Sequence, residues 1–348
     1  MKAIVVSLKF NPGHVSHMIA SFKQLNELGY DTYFYINEKF VDFLPNDLLK
    51  YVKIYGKNNL DEVNLAIFLF PALYNIIEII KIRLTNKCKI LYVYHEPILN
   101  FKEFIDAGFT GFKFVMLYLK NFVNSIIVKM ADIILLPSKK ALYNYDNNKL
   151  YSNLNRYYVP LMYDDEVDNK SQCNNKSYFS YIGTIASDHS FDKYVNFIKW
   201  AIETNWYPEI NFLIATRSEC FLDFSSPRLT IVSGKPLTNQ EINEWYAKSL
   251  VIWNAYKRTT QSGVLPKAFM FSTPAIILSE NRNEFTIPGN NVEEIKDNTS
   301  IEQISEALLK IYNNLHYYKS NARNSFLQNF HYRQYNIVLN QIIQSYKQ

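Results

Sequence analysis

Apolar residues along this chain come in two rhythms. Some form short unbroken runs; others recur every three or four positions over longer stretches. The first rhythm predicts buried strands at 3–8, 31–36, 90–94, 133–136 and 157–160, and the second predicts a helix over 16–28 stopped by Gly29. Ser138 stands where it would cap a further helix. The rhythm breaks at 164–177, where Asp164, Asp165 and Glu166 lead a polar stretch that reads as a linker. Beyond it the alternation restarts, with strands expected at 178–182, 210–215, 229–232, 250–253 and 275–278. Helices are expected at 190–203, 239–248, 300–313 and 332–346, the second opened by a Thr238–Glu241 capping box. Strands alternating with helices imply parallel sheets covered on both faces. The expected division is a first domain 1–163, a linker 164–177, a second domain 178–331, and a terminal helix 332–348 packing back on the first.

Composition narrows this picture. The 348 residues are 48% hydrophobic and 20% charged, which describes a globular chain long enough for two cores. A net charge of +5 suits an anionic ligand or a membrane surface and falls short of a nucleic-acid footprint. Cys88, Cys173 and Cys220 are far apart and lack zinc-ligand spacing, so they read as reduced thiols of a cytosolic protein without a structural metal. The first eight residues read as a strand rather than a signal peptide.

Two apolar segments, 63–84 and 109–130, approach membrane-spanning length, but both are interrupted by polar residues. The second carries Lys113, Lys120 and Lys129 among Phe112, Leu117, Leu119 and Phe122. It reads either as a core helix with solvated lysines or as a basic amphipathic helix lying on a membrane. Both readings stand.

The segment richest in chemistry is Gln261-Ser262-Gly263-Val264, between the strand 250–253 and a stretch of helical spacing. A Ser-Gly turn entering a helix offers backbone N–H groups and the positive end of the dipole to a phosphate. The alternative is a glycine that only lets helix and strand pack.

Further motifs occur in order along the chain. They are Phe10-Asn11-Pro12-Gly13 after the first strand, Tyr94-His95-Glu96-Pro97, Leu135-Leu136-Pro137-Ser138, Tyr157-Tyr158-Val159-Pro160, and Tyr181-Ile182-Gly183. The last is Ser262-Gly263-Val264-Leu265-Pro266 with Ala268 and Thr273-Pro274. Taken together over nearly the whole chain, this series resembles the GT-B glycosyltransferases of the family 4 type. The resemblance implies an α/β fold of two Rossmann-like domains facing across a cleft, the second holding most of a nucleotide-sugar donor. It implies transfer of a sugar from a nucleotide-diphospho-sugar to a glycan or lipid-linked acceptor, with retention and without metal or cofactor. The implied setting is surface-polysaccharide biosynthesis in the cytoplasm, at the inner face of the membrane, with peripheral contact through 109–130 and no nucleic-acid partner.

The resemblance assigns His95 and Glu96 to the catalytic, acceptor-facing side and Gly13 to close approach of the donor. Gly183, Thr184, Ser262, Gly263 and Val264 fall on the donor diphosphate. Two departures stand out. Thr184 follows Gly183 where such enzymes place an arginine, with Asp188 and His189 beyond it, and Lys267 occupies a position that is commonly Glu. Arg217, after the strand 210–215, is the expected replacement cation, because ligands of open α/β sheets bind at strand carboxyl ends. Lys267 reads equally as a phosphate- or sugar-facing cation or as a solvated side chain. Glu284 is the expected partner of a ribose or sugar hydroxyl. The missing cations leave two other functions open: a non-catalytic GT-B-like binding or scaffold protein, and another GT-B enzyme such as an epimerase or phosphorylase.

Overall fold

The computed structural model describes the whole chain except residues 59, 61, 107–109, 152, 168–175, 259–261 and 347–348. It falls into two compact units, Met1–Asp164 with Phe330–Gln348, and Asp165–Asn329. Most of the segment expected as a linker lies outside the described residues, as does Cys173. The acids at its start are paired with cations. Asp164 pairs with Lys23 at 2.5 Å, and the Arg323 guanidinium donates to Asp165 at 3.0 Å.

The first unit runs β1 (Lys2–Ser7), α1 (Val15–Glu27), β2 (Asp31–Ile36), β3 (Val52–Ile54), β4 (Val63–Phe68), α2 (Leu73–Thr85) and β5 (Lys89–Val93). It continues with α3 (Lys102–Asp106), α4 (Gly111–Met130), β6 (Ile133–Leu136), α5 (Lys139–Asn147) and β7 (Arg156–Tyr158). Its strands form one parallel sheet in the order β3-β2-β1-β4-β5-β6-β7. The apolar segment 63–84 is thus β4 and α2, divided at Pro71, where the missing N–H and fixed φ suit a turn. Among the described residues no helix is long and apolar enough to cross a membrane.

The second unit runs β8 (Tyr178–Ile182), α6 (Phe191–Glu203), β9 (Asn211–Ala215), β10 (Leu229–Val232), α7 (Asn239–Lys248) and β11 (Ser249–Asn254). Then come α8 (Val264–Met270), β12 (Ala275–Leu278), β13 (Val292–Ile295), α9 (Ile301–Asn313) and α10 (Leu315–Asn329). Its parallel order is β10-β9-β8-β11-β12-β13. The Thr238–Glu241 capping box forms as expected, with the carboxylate accepting from the Thr238 N–H at 2.7 Å. The core is aromatic: Phe179, Tyr194, Phe197 and Trp253 are all essentially inaccessible and meet edge to face.

The chain then returns to the first unit. The Tyr163 N–H donates to Phe330 O at 2.9 Å and the Tyr332 N–H to Tyr163 O at 3.0 Å. Glu27 at the end of α1 accepts from Tyr332 Oη at 2.7 Å and pairs with Arg333 at 2.8 Å. A final helix, α11 (Asn336–Ser345), completes that unit.

Both sheets have the doubly wound order. The chain starts in the middle, winds outward to one edge, then resumes on the other side of the first strand. Each unit therefore has one topological switch point, between β1 and β4 in the first and between β8 and β11 in the second. In such sheets the loops leaving the carboxyl ends on either side of the switch part from each other and leave a crevice for a ligand.

Candidate functional site

At the switch point of the second unit the two expected donor loops converge. Gly183 follows β8 with φ of +149°, a region that side chains disfavour, and its N–H donates to Ala215 O at 3.0 Å. A Cβ built there would lie 3.5 Å from Tyr256 Oη and 3.8 Å from a methyl of Val264. Gly183 and Val264, far apart in sequence, thus stand side by side at the carboxyl ends of β8 and β11.

Ser262 is buried. Its hydroxyl donates to Asn254 Oδ1 at 3.1 Å and accepts from the Val264 N–H at 3.2 Å. The Val264 N–H, expected to face a phosphate, is therefore occupied by the Ser262 hydroxyl. Gly263 is right-handed helical with φ of −68°, so its backbone conformation does not call for glycine. Gln261 lies outside the described residues.

Thr184 brings its carbonyl to His189 Nδ1 at 2.7 Å and to the Tyr181 hydroxyl, which donates to it at 2.7 Å. The His189 ring stacks on Tyr256 with centroids 3.9 Å apart. Tyr256 escaped sequence reasoning. The only available signal was its place two residues beyond the end of β11, which any strand-end residue shares.

The remaining candidates scatter. Arg217 is exposed beyond the carboxyl end of β9, the strand next to β8, and has no ion-pair partner among the described residues. Glu284 is half-buried in the loop between β12 and β13. Lys267 requires a correction. It is 5% exposed, and its ammonium lies 2.7 Å from Glu166 and donates to Asn239 Oδ1 at 3.2 Å. The same Glu166 oxygen accepts from Asn239 and from Asn243, the latter at 2.9 Å. Lys267 is not solvated; its charge is paired inside the unit with an acid from the expected linker.

At the switch point of the first unit, three histidines and a phenylalanine gather. His14 stacks on Phe70, whose ring centre lies 4.4 Å from that of His95, and His17 approaches His95 at 5.9 Å. Asn11 orders the turn, accepting from the Gly13 N–H at 3.3 Å while its amide meets His14 Nε2 at 3.0 Å. Burial first, then the neighbouring His17, pushes His95 well below its ordinary value, and burial with His95 and His17 does the same to His14. Both rings are neutral, so His95 offers hydrogen bonds and not a proton reservoir. His17 and His95 also line a cavity of about 30 Å³, room for little more than a water. Glu96 is exposed beside His95. Gly13 is exposed too, and a Cβ there would meet only Asn11 Oδ1 at 3.7 Å, so nothing within the unit demands its small size.

No family model and no curated protein matches this chain in sequence. Solved structures do match its fold. A sucrose-phosphate synthase from Thermosynechococcus elongatus is 12% identical with a TM-score of 0.68, each chain covering 99% of the other. HepE of Anabaena, solved with UDP-glucose, is 10% identical with a TM-score of 0.70, covering 99% of this chain and 100% of its own. A glycosyltransferase from Rickettsia africae is 12% identical with a TM-score of 0.68, covering 99% of this chain and 98% of its own. The α/β fold of two parallel-sheet units is thus the GT-B fold of these glycosyltransferases, as the motif order implied.

Proposed function

We propose that this protein is a glycosyltransferase that takes a sugar from a nucleotide-diphospho-sugar and delivers it to a glycan or lipid-linked acceptor. The observation that carries this reading is the convergence of Gly183 and Val264 at the β8–β11 switch point, with 3.8 Å between the position of a Cβ and the Val264 methyl. A bare glycine backbone and a stacked His189–Tyr256 pair at strand carboxyl ends suit a nucleotide diphosphate. HepE, a protein of the same fold, was solved with UDP-glucose.

In this reading the leaving diphosphate lies against the bare Cα of Gly183, whose N–H is held by Ala215 O, and Arg217 supplies the cation that position 184 lacks. Stabilisation by fixed dipoles and a guanidinium, without a metal ion, meets the charge that builds on the departing group. Ser262 holds the turn that opens α8, and Glu284 remains the proposed partner of a sugar or ribose hydroxyl. His95 stays neutral and positions a hydroxyl by hydrogen bonding, with Glu96 and Gly13 beside it. Positioning of that kind accelerates transfer without proton exchange through the ring. Retention of configuration, a role in surface-polysaccharide synthesis, and peripheral contact with the inner face of a membrane through 109–130 complete the proposal.

The test is calorimetric titration with UDP-glucose and the other common nucleotide-sugars, followed by donor consumption with and without acceptor. Saturable donor binding with acceptor-dependent consumption is expected. Failure of every donor to bind at millimolar concentration would leave a scaffold protein in its place, and acceptor-independent consumption would point to an epimerase-type reaction.

A further inference from the structure

The α2–α4 side of the first unit exposes apolar residues in addition to the Ile79, Ile82, Ile127 and Val128 that it buries. α4 turns Asn121 and Asn124 inward, at 2% and 4% exposure, where they accept from the hydroxyls of Tyr94 and Tyr92. Its outward positions are Phe112, Val115, Met116, Leu119 and Phe122, all at least half exposed. α2 packs beside it and exposes Leu73, Ile77, Ile80 and Leu84, the spacing of a single helical stripe. An apolar surface of this extent marks contact with something apolar.

Between these helices and the carboxyl ends of β1 and β4 lies a cavity of about 560 Å³. Leu8, Phe10, Tyr74, Leu119 and Val123 form much of its wall. Lys9, Lys39 and Lys120 also line it, no acid does, and none of the three has an ion-pair partner among the described residues. An apolar wall with three uncompensated ammonium groups is complementary to a molecule with an apolar tail and a phosphate head. Free phosphate would leave the wall wet; a neutral lipid would leave the lysines unanswered. Pro71 lines the cavity directly after Phe70, the ring on which His14 stacks and which lies 4.4 Å from that of His95, so the cavity adjoins the histidine cluster.

We propose that this cavity takes the phosphate-bearing head and first carbons of a membrane amphiphile, and that this amphiphile is the acceptor. The proposal rests on the glycosyltransferase reading and selects the lipid-linked acceptor over the free glycan. The exposed stripes of α2 and α4 rest on the bilayer from which the amphiphile enters.

The test titrates the full chain with dodecyl phosphate, dodecyl maltoside and inorganic phosphate below detergent micelle formation, and with UDP-glucose on the same samples. Dodecyl phosphate is expected to bind about tenfold tighter than dodecyl maltoside, with no saturable binding of inorganic phosphate. Lys9→Ala/Lys120→Ala should bring the two detergents to equal affinity while the thermal melt stays in place; if that variant melts early, Lys120→Gln alone at its exposed position carries the comparison. Equal binding of the two detergents by the unsubstituted protein would overturn the proposal. So would inorganic phosphate binding as tightly as dodecyl phosphate, or a headgroup preference that survives the lysine changes. UDP-glucose binding requires none of these lysines. Its loss with headgroup preference intact counts against the donor reading alone, and the reverse result counts against the cavity alone.

Discussion

Lys267→Met separates a structural lysine from a donor-binding one. The substitution keeps most of the side chain's length and removes the charge. Its partner Glu166, with a side chain 15% exposed, would keep the Asn243 amide at 2.9 Å and lose the ammonium at 2.7 Å. Breaking a buried pair by removing one member costs about 3–5 kcal/mol, because a charge stays behind in low dielectric. Two surviving amide donors and partial access to water place this case near the lower end, at about 2–3 kcal/mol. The four tryptophans, Trp200, Trp206, Trp245 and Trp253, all lie in the second unit, so their fluorescence in urea follows that unit's unfolding separately from the first. The Lys267→Met midpoint should fall by an amount corresponding to this loss at unchanged slope. The double variant Glu166→Leu/Lys267→Met should recover most of it, since replacing the pair as a whole by apolar groups is near neutral. UDP-glucose affinity of the folded variants should be unchanged. An unchanged midpoint together with about a tenfold loss of donor affinity would refute the reasoning and return Lys267 to the ligand.

Three further outcomes are expected. Gly183→Ala puts a side chain at φ of +149° and should cost about 1–3 kcal/mol in the same tryptophan-detected melt, with weaker UDP-glucose binding; a variant matching the parent in both would remove Gly183 from the site. Arg217→Ala should weaken UDP about tenfold and uridine hardly at all by calorimetry, because the guanidinium answers phosphate and not base; equal losses would reject it as the replacement cation. The folded-state values of His14 and His95 lie below their ordinary value of about 6.5, so the unfolded chain binds their protons more readily. The stability of the first unit should therefore be full above about pH 6.5 and fall below it by about 1.4 kcal/mol per pH unit for each ring. Far-ultraviolet circular dichroism in urea between pH 7 and 5 measures this, and His95→Gln should reduce the slope; an unaltered slope would contradict the neutral-ring assignment.

The strand rhythm was legible because parallel strands buried on both faces are continuous apolar runs. β2, β6, β8, β10 and β12 have the expected limits, and α7 begins at the capping box its residues announce. β4 was harder. Its apolar run continues into α2 with only Leu69, Phe70, Pro71 and Ala72 between a two-residue and a 3.6-residue period, so 63–84 reads as one hydrophobic block. In the donor loops, sequence located the strand ends but not which backbone groups are already satisfied. The Ser262 hydroxyl could face a ligand or the Val264 N–H, and local spacing is the same in both cases. Lys267 illustrates the same limit at longer range. Its partner Glu166 is a hundred residues away in a polar stretch, so its burial depends on a contact that no local pattern carries.

α4 shows how a correct period can leave the direction of burial open. Along 111–130 each side is mixed: Ile127 and Val128 are buried with Asn121 and Asn124, while Lys120 and Lys129 are exposed with Leu119 and Phe122, so periodicity alone does not say which side is buried. The deciding groups are hydroxyls on other elements: Tyr92 and Tyr94 on and just after β5 project toward α4 and donate to Asn124 and Asn121 at 3.1 and 3.4 Å, and Tyr151 bonds to both Tyr94 and Asn121. A buried tyrosine hydroxyl needs a partner, and leaving several unsatisfied would cost more than exposing a few apolar side chains whose burial contributes about 25 cal/mol per Å². The sheet therefore draws Asn121 and Asn124 inward beside Ile127 and Val128 and leaves Phe112, Met116, Leu119 and Phe122 outside. The core-helix reading of this segment then describes its sheet-facing side, and the reading as a basic amphipathic helix lying on a membrane stays a proposal for its exposed side. The helix is anchored to the core through its amides, and the same anchoring presents its exposed apolar side chains, and the lysine-lined cavity beneath it, to the surroundings.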